Sequence, residues 1–184
     1  MRNKWIIATL LPALVFIQCQ KQPDPRFLIS NDQVGPLMRS AGADELKNLF
    51  SGDSLVTDSL STTIGNTSRR IEVYEKGGKH LLSLTQATDS LKRIESIRIL
   101  DPRFTTAEGV GLGSTFKDIQ MHYPIRKIVT SLKNLVIFIK GKDYYFTISR
   151  EELPASLRYT KDIQIEEVQI PDKAKIKYLM VGWN

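Results

Sequence analysis

The sequence predicts an α+β domain in which two helix-plus-antiparallel-strand repeats form one sheet with helices on one face. Three observations lead to this fold class. Two short segments have the apolar spacing of amphipathic helices, a series of alternating apolar and polar segments follows each of them, and both kinds of segment recur in the same order. A chain of 184 residues is long enough for one such domain with a substantial core.

The first predicted helix covers 43–50, and the second covers 115–123. In both segments the apolar residues recur at helical spacing, so each helix can bury one face. Thr115 is followed three residues later by Asp118, which is the spacing of a capping box. We therefore expect the second helix to begin immediately after Thr115.

Three glycines precede this second helix, at Gly109, Gly111 and Gly113. A phosphate-binding P-loop would require a lysine directly before the hydroxyl residue, but Ser114 follows Gly113 directly. The spacing also differs from the G-x-G-x-x-G pattern of dinucleotide-binding loops. We interpret the glycines as a turn into the helix, and an anion site at the start of the helix is the alternative.

Segments in which apolar and polar residues alternate are typical of half-buried strands. Glycine-containing connections after Glu75 and after Lys140 predict two β-hairpins. The predicted strand segments are 69–75, 81–87, 91–100, 133–140, 142–149, 162–170 and 175–183.

The helix and strand segments occur twice in the same order. The sequence "ELKNLF" followed by "LVT" aligns without a gap with "DIQMHY" followed by "IVT". This match indicates a duplicated αβ unit with repeats at about 31–101 and 102–184. The alternative is chance similarity among strand-rich segments.

The first eighteen residues have the features of a secretion signal. Arg2 and Lys4 precede an uncharged run from Trp5 to Ile17, which is shorter than a membrane-spanning helix requires. Cys19, the only cysteine, lies just beyond this run, and a polar segment with two prolines follows it. We expect residues 1–18 to be a signal peptide, 19–30 a tether and 31–184 a single domain.

The position of Cys19 resembles the lipidation site of bacterial lipoproteins, although Gln18 stands where that family usually has a small residue. The resemblance implies cleavage before Cys19 and acylation of its thiol and new amino group. The alternative is an ordinary secreted protein with an unmodified thiol. With one cysteine, the mature chain can form no internal disulfide.

The segments "GLGSTFKDIQMHYP" and "SAGADELKNLF" open the two repeats. A glycine-serine-threonine helix start followed by a hairpin-rich sheet, repeated in a small lipoprotein, resembles the β-lactamase-inhibitor-like and outer-membrane-assembly lipoprotein families. The resemblance implies an α+β fold and a protein-binding role in the cell envelope. It transfers no binding residue to this chain.

Charge and residue patterns argue against several other functions. The net charge is +6, but the basic residues are dispersed among acidic ones, which argues against a nucleic-acid partner. His80 and His122, the only histidines, are interpreted as structural or surface residues. No set of residues has the spacing of a catalytic or metal site, so we expect no cofactor and no bound metal.

The most apolar predicted strand suggests a binding face. Residues 135–139 are all apolar, so both faces of this strand carry apolar side chains. Alternation and pairing with the next strand place Val136, Phe138 and Tyr145 on the face opposite to Leu135. If helices cover only one face, these three residues form a possible binding face; the alternative is a sheet covered on both sides.

We therefore expect a bacterial lipoprotein of the periplasmic or outer envelope surface, anchored to the membrane through lipid on Cys19. Its predicted activity is non-catalytic binding of an envelope protein or a small ligand. A secreted hydrolase-type enzyme whose site assembles from dispersed residues is the alternative, and a purely structural envelope component is a third possibility.

Overall fold

A computed structural model describes most of the chain beyond the predicted signal peptide. The predicted signal peptide and Cys19 lie outside the described residues. The described ranges are 24–58, 61–63, 66–87, 92–159 and 164–183.

The described residues form many strands and few helices, so the predicted α+β class is confirmed. The helices are α1 Leu46–Leu49, α2 Phe116–His122 and α3 Ala155–Arg158, with 3-10 turns at Pro25–Phe27, Ala43–Glu45, Arg150–Glu152 and Glu167–Gln169. The strands are β1 Leu28–Ile29, β2 Gln33–Val34, β3 Leu37–Met38, β4 Asp53–Thr57, β5 Ser61–Thr63, β6 Asn66–Glu75, β7 His80–Gln86, β8 Ile94–Ile99, β9 Thr105–Thr106, β10 Ile125–Thr130, β11 Asn134–Ile139, β12 Tyr144–Ser149 and β13 Ile176–Gly182.

The larger sheet in the described part of the chain has nine strands. Its order is β10-β11-β12-β13-β8-β7-β6-β4, and β5 pairs with β6 beside this path. Every neighbouring pair in it is antiparallel. The two central strands, β8 and β13, come from the middle and the end of the chain. The nine-stranded sheet therefore forms only when these two segments, which are far apart in the sequence, pair with each other.

Both predicted hairpins are confirmed. β6 pairs with β7, and β11 pairs with β12, in the antiparallel registers that the alternating sequence favours. The turns use glycine where the backbone requires a positive φ, at Gly77, Gly78 and Gly141. The final predicted strand is also present as β13.

One predicted strand is wrong. Within the predicted strand 162–170, the described residues form irregular chain and the 3-10 turn Glu167–Gln169. The side chains of Ile165 and Ile170 are buried, so the apolar spacing reflects anchoring of a loop on the core. The strand that pairs with β12 on the side away from β11 is β13.

One side of the large sheet faces the hydrophobic core. Alternate residues on the inner strands are buried, and Leu135, Ile137 and Phe146 have no exposed surface. Leu46 of α1 and Phe116 of α2 belong to the same buried cluster. Fully burying an aliphatic or aromatic side chain contributes roughly 1.5–3 kcal/mol, so this cluster is the main stabilising feature of a chain without disulfides.

A smaller sheet packs into the same core. Its order is β3-β2-β1-β9, with β1 parallel to β9. Phe27 and Ile29 are buried members of the core cluster. The indole Nε1 of Trp183 donates a hydrogen bond to the carbonyl of Asn31 over 2.7 Å, which links this segment to the end of the chain. The described part of the predicted tether, residues 24–30, therefore contains core residues.

The predicted capping box at α2 is present. The Asp118 carboxylate accepts hydrogen bonds from the backbone and hydroxyl of Thr115, and the Thr115 hydroxyl accepts from the Asp118 amide. Hydrogen bonds from the Thr115 backbone, followed by those from its hydroxyl, lower the pKa of the Asp118 carboxyl.

The glycine at position 111 has a packing role. A Cβ atom there would lie 2.6 Å from the carbonyl oxygen of Phe104, so only glycine allows the two backbone segments to approach this closely.

The predicted helix at 43–50 is less regular than the second. Ala43–Glu45 form a 3-10 turn and only Leu46–Leu49 are α-helical. Gly42 provides no side-chain cap, and the helix depends on burial of Leu46 and Phe50.

A cluster of charged residues surrounds the buried carboxyl of Asp101, whose side chain has no exposed surface. Arg103 donates to it from Nε and Nη2, and Lys79 Nζ lies 3.1 Å away. Burial alone would raise the pKa of the Asp101 carboxyl, but the hydrogen bonds from Arg103 and Lys79 outweigh this effect and lower its pKa to about 2. The charge of Asp101 is therefore favoured in the folded state.

Replacement of Thr115 by alanine should lower the free energy of unfolding by about 0.5–2 kcal/mol, because the α2 amides lose their cap. Denaturant unfolding of the purified domain measures this change. Thr115→Ser keeps the hydroxyl and is the matched control, with a smaller loss expected. Equal losses in both variants would contradict the capping role.

Asp101 should make stability dependent on acidic pH. Because its folded pKa is below the ordinary 3.8, its contribution is present above about pH 4 and is lost as the pH falls towards 2. Asp101→Asn should cost about 2 kcal/mol near neutral pH, and the difference from wild type should shrink near pH 2.

Urea unfolding at several pH values tests this expectation. The control is Asp172→Asn, since the Asp172 side chain is 68% exposed and its ion pair with Lys117 is 3.5 Å long. A pH-independent loss in Asp101→Asn would show that packing, not charge, is responsible.

Candidate binding face

The large sheet has a second face, opposite to the core, which we call the open face. It is defined by half-exposed side chains that alternate with core residues; they include Val136, Phe138, Tyr145, Tyr178, Met180 and Arg98. The alternation predicted for Val136, Phe138 and Tyr145 agrees with the strand register, since Phe138 lies opposite Tyr145 on the neighbouring strand.

One row of paired residues crosses the open face from edge to edge. Its apolar half runs from Lys127 through Phe138, Tyr145 and Met180, and its polar half continues through Arg98, Ser83, Glu72 and Val56. A second row, Val129, Val136, Thr147 and Tyr178, lies beside the apolar half. The face therefore changes from aromatic and aliphatic to polar across the β13–β8 junction.

Aromatic rings and cations meet on the apolar half. The rings of Phe138 and Tyr145 have centroids 5.2 Å apart. The ammonium of Lys127 lies 4.9 Å from the Phe138 ring, and the guanidinium of Arg126 lies 5.5 Å from it. Burial raises the pKa of the Tyr145 hydroxyl, so this group stays neutral at physiological pH. Cation–π contacts of this kind hold rings in place while leaving their edges available.

Tyr178 is held in a similar way on β13. The Arg98 guanidinium carbon lies 4.2 Å from the ring centroid, and the Lys177 ammonium lies 5.3 Å from it. The open face therefore combines half-exposed rings with several cations. This composition suits recognition of a surface that is apolar and partly acidic.

A pocket occupies the polar half of the open face. Its volume is about 350 Å³, and residues of β6, β7, β8 and β13 line it. Glu72 accepts a hydrogen bond from the Ser83 hydroxyl over 3.0 Å, and its other oxygen lies 2.9 Å from His80 Nε2. The His80 ring is stacked on Tyr74.

The Ser83, His80 and Glu72 side chains do not form a catalytic relay. In a relay the histidine lies between the nucleophile and the carboxylate, whereas here the carboxylate lies between the other two. The Ser83 hydroxyl donates directly to the Glu72 carboxylate, and His80 contacts the other oxygen of the same carboxylate. This geometry differs from that of an acyl-transfer relay.

A larger cavity of about 580 Å³ lies elsewhere, between the 3-10 turn at Pro25–Phe27 and β4. Three of the charged residues in its lining are paired, since Arg26 contacts both Asp53 and Glu75, and Glu75 also binds Arg103. The hydrogen bond from Arg103 lowers the pKa of the exposed Glu75 carboxyl. These ion pairs form between residues of the domain itself, so the paired side chains are already engaged.

The described residues contain neither a cluster of metal-ligating side chains nor a helix of membrane-spanning length. No group of three or more histidine, cysteine, aspartate or glutamate side chains in this part of the chain is placed to hold a metal ion. Among the described helices, none has the length and apolar character needed to cross a bilayer.

The chain was also compared with known proteins. No protein-family model, no curated protein and no solved structure matches it.

The sequence prediction of the binding face omitted residues that the structure brings to it. Tyr178 and Met180 on β13, and Ser96 and Arg98 on β8, alternate with buried residues in their own strands. That alternation was visible in the sequence. The signals that were missing are the pairings of β12 with β13 and of β13 with β8, which place all four on the face that carries Tyr145.

Tyr145→Glu should leave the domain folded, with a stability loss of about 1 kcal/mol, because this side chain is half-exposed. The adjacent change Phe146→Glu should cost several kcal/mol, because it places an unpaired charge in the core. Thermal unfolding of both variants compares the two faces of one strand. A fall in melting temperature for Tyr145→Glu as large as that for Phe146→Glu would make Tyr145 a core residue.

Proposed function

We propose that the chain is a lipid-anchored, non-catalytic binding protein of the bacterial cell envelope and that the open face is its binding surface. The observation that carries this proposal is the row of half-exposed aromatic side chains flanked by cations. These rings are partly exposed on the sheet face opposite to the core, so part of their apolar surface remains accessible to a partner. Aromatic residues and arginine are the types enriched where proteins meet partners.

The exposed apolar residues of the face support the same proposal. Val129 at one edge is 42% exposed, and Val56 at the other edge is 52% exposed. Val129 lies opposite Val136 and extends the apolar half of the open face to the β10 edge, whereas Val56 is an isolated apolar residue at the β4 edge. Extended apolar surface of this kind marks interaction sites in monomeric proteins.

The proposed anchor places the domain close to a membrane. Four residues lie between Cys19 and Asp24, where the described residues begin, and the five residue steps span at most about 18 Å when fully extended. The core then begins at Phe27. A lipid on Cys19 would thus hold the domain against the bilayer, so we expect its partner to be membrane-associated or periplasmic.

We further propose that the domain arose by duplication of an αβ unit, with helices covering one sheet face. The strand order supports this proposal: α1 precedes the strands ordered β4-β6-β7-β8, and α2 precedes those ordered β10-β11-β12-β13. In the sheet, each group runs from its first strand at an outer edge to its last strand at the centre, where β8 and β13 pair. Burial of Leu46 and Phe116 in the cluster that includes the core side of the sheet is consistent with helices on that side.

Site-specific photo-crosslinking in the native host tests the proposed function. A photoreactive phenylalanine at position 145 should give discrete protein adducts, because it lies on the open face. The same photoreactive residue at position 168 is the control, since Val168 is 86% exposed on the 3-10 turn Glu167–Gln169.

The anchor is tested by Cys19→Ser, which should move the chain from the membrane fraction to the soluble fraction.

Two results would contradict the proposal. Equal crosslinking yields from positions 145 and 168 would show that the open face is not the binding surface. A wild-type chain whose mass lacks the acyl groups would show that the lipid anchor is absent.

A further inference from the structure

Two hydroxyl groups that line the pocket on the open face make no hydrogen bond with any described residue. Thr85 on β7 lies opposite Ser96 on β8, and both line the pocket. Neither hydroxyl has a partner among the described residues. Ser83 is different, since it already donates to Glu72. The pocket therefore offers two free hydroxyl donors.

Arg98 supplies a positive charge to the same pocket without a counterion. Its Nε is buried and has no hydrogen-bond partner, and among the described residues its guanidinium makes neither a hydrogen bond nor an ion pair. The Arg98 guanidinium carbon lies 4.2 Å from the centroid of the Tyr178 ring. A cation–π contact forms no hydrogen bond with the guanidinium N–H groups, so they still require an acceptor.

The only carboxylate in the pocket lining does not compensate Arg98. Both Glu72 oxygens are engaged by Ser83 and His80. A second arginine of the lining, Arg70, approaches Glu72 only to 3.9 Å, with its side chain 53% exposed. With two arginines and one engaged carboxylate, the lining carries a net positive charge. The empty partner position beside Arg98 is thus suited to an anion.

We propose that this pocket binds a carboxylate group of the ligand that the open face recognises. The inference rests on the proposed function and assigns the chemical class of its ligand. A carboxylate matches the planar edge of the Arg98 guanidinium and accepts from the Thr85 and Ser96 hydroxyls. A dianionic phosphate fits less well, because Glu72 would repel its second charge.

The neighbours of the pocket indicate what the carboxylate is attached to. Tyr178 and Met180 line the pocket and also continue into the apolar half of the open face. A ligand with its carboxylate at Arg98 would thus extend an apolar portion towards Tyr145. Both an acidic side chain of a docked protein and a free organic acid have this chemistry.

NMR titration of the intact domain tests the assignment. The probes are glutarate, inorganic phosphate, and an acetylated and amidated leucine-glutamate-leucine tripeptide, each added at constant ionic strength. We expect saturable shifts of the Arg98 Nε–H signal and of the Ser83 and Ser96 amides with a carboxylate probe. The matching leucine-glutamine-leucine peptide, which lacks the charge, should cause none.

Two variants locate the effect. Arg98→Lys should weaken binding on the order of tenfold, measured on the Ser96 amide, because a lysine loses the paired N–H donors. Arg158→Lys is the matched control, because the Arg158 guanidinium donates to the Leu153 carbonyl and Arg158 does not line the pocket. It should leave the titration unchanged.

The outcomes separate the two sources of carboxylate. Binding of glutarate alone supports a free organic acid, and binding of the glutamate peptide supports an acidic side chain of a partner. No saturable shift with any carboxylate probe, or tighter binding of phosphate, would overturn the proposal. If position 145 gives crosslinks but the pocket signals show no saturable shift, the proposed function is retained and only the carboxylate assignment is wrong.

Discussion

The pairing of β8 with β13 is the contact on which the rest of this structure depends. On the core side it places Leu179 opposite Ile99 and Val181 opposite Ile97, and all four side chains are buried. The partners are roughly 80 residues apart in the chain, so the entropy of closing a long loop opposes their association. Burial of these side chains offsets that cost. Without this pairing, the two four-stranded groups would remain separate, each with an unprotected central edge.

The same pairing also builds the open face. On the open side it places Met180 opposite Arg98 and Gly182 opposite Ser96. The apolar half of the open face belongs mainly to strands β10 to β13, and the polar half belongs to β6 to β8. The pocket lies where these halves meet, so its apolar and charged walls come from different parts of the chain. A ligand that needs both walls can bind only to the assembled sheet.

Two groups of charged residues illustrate how structure and binding use charge differently. Asp101 is buried but is surrounded by Arg103 and Lys79, so its charge is satisfied within the domain. Arg98 is held against Tyr178 and has no carboxylate partner within the described residues. The first arrangement stabilises the fold, because both charges are paired. The second leaves a donor group ready for an external acceptor, at some cost to the isolated domain.

Local features of the fold were predictable because they depend on neighbouring residues. The cap at Thr115 follows from a hydroxyl and a carboxylate three residues apart, and the hairpins follow from glycine between alternating segments. The face carrying Val136, Phe138 and Tyr145 follows from alternation within one hairpin. The prediction failed at 162–170, where Ile165 and Ile170 anchor a loop with the same apolar spacing as a strand. Spacing alone does not distinguish these cases, because a strand also requires a partner with free hydrogen-bonding groups.

By itself, the sequence determined the α+β class, the start of α2, both hairpins and the orientation of side chains within each strand. These properties follow from backbone preferences and from the two-residue period of a strand, which act over a few residues. Only the tertiary structure decided which strand lies beside β8, which residues share a face with Tyr145 and which charge is left without a counterion. Those properties depend on contacts between distant segments, and many pairings of alternating strands would bury similar apolar area. Arg98 is one of many arginines in the sequence, and its place beside Tyr178 and the pocket exists only because β13 pairs with β8.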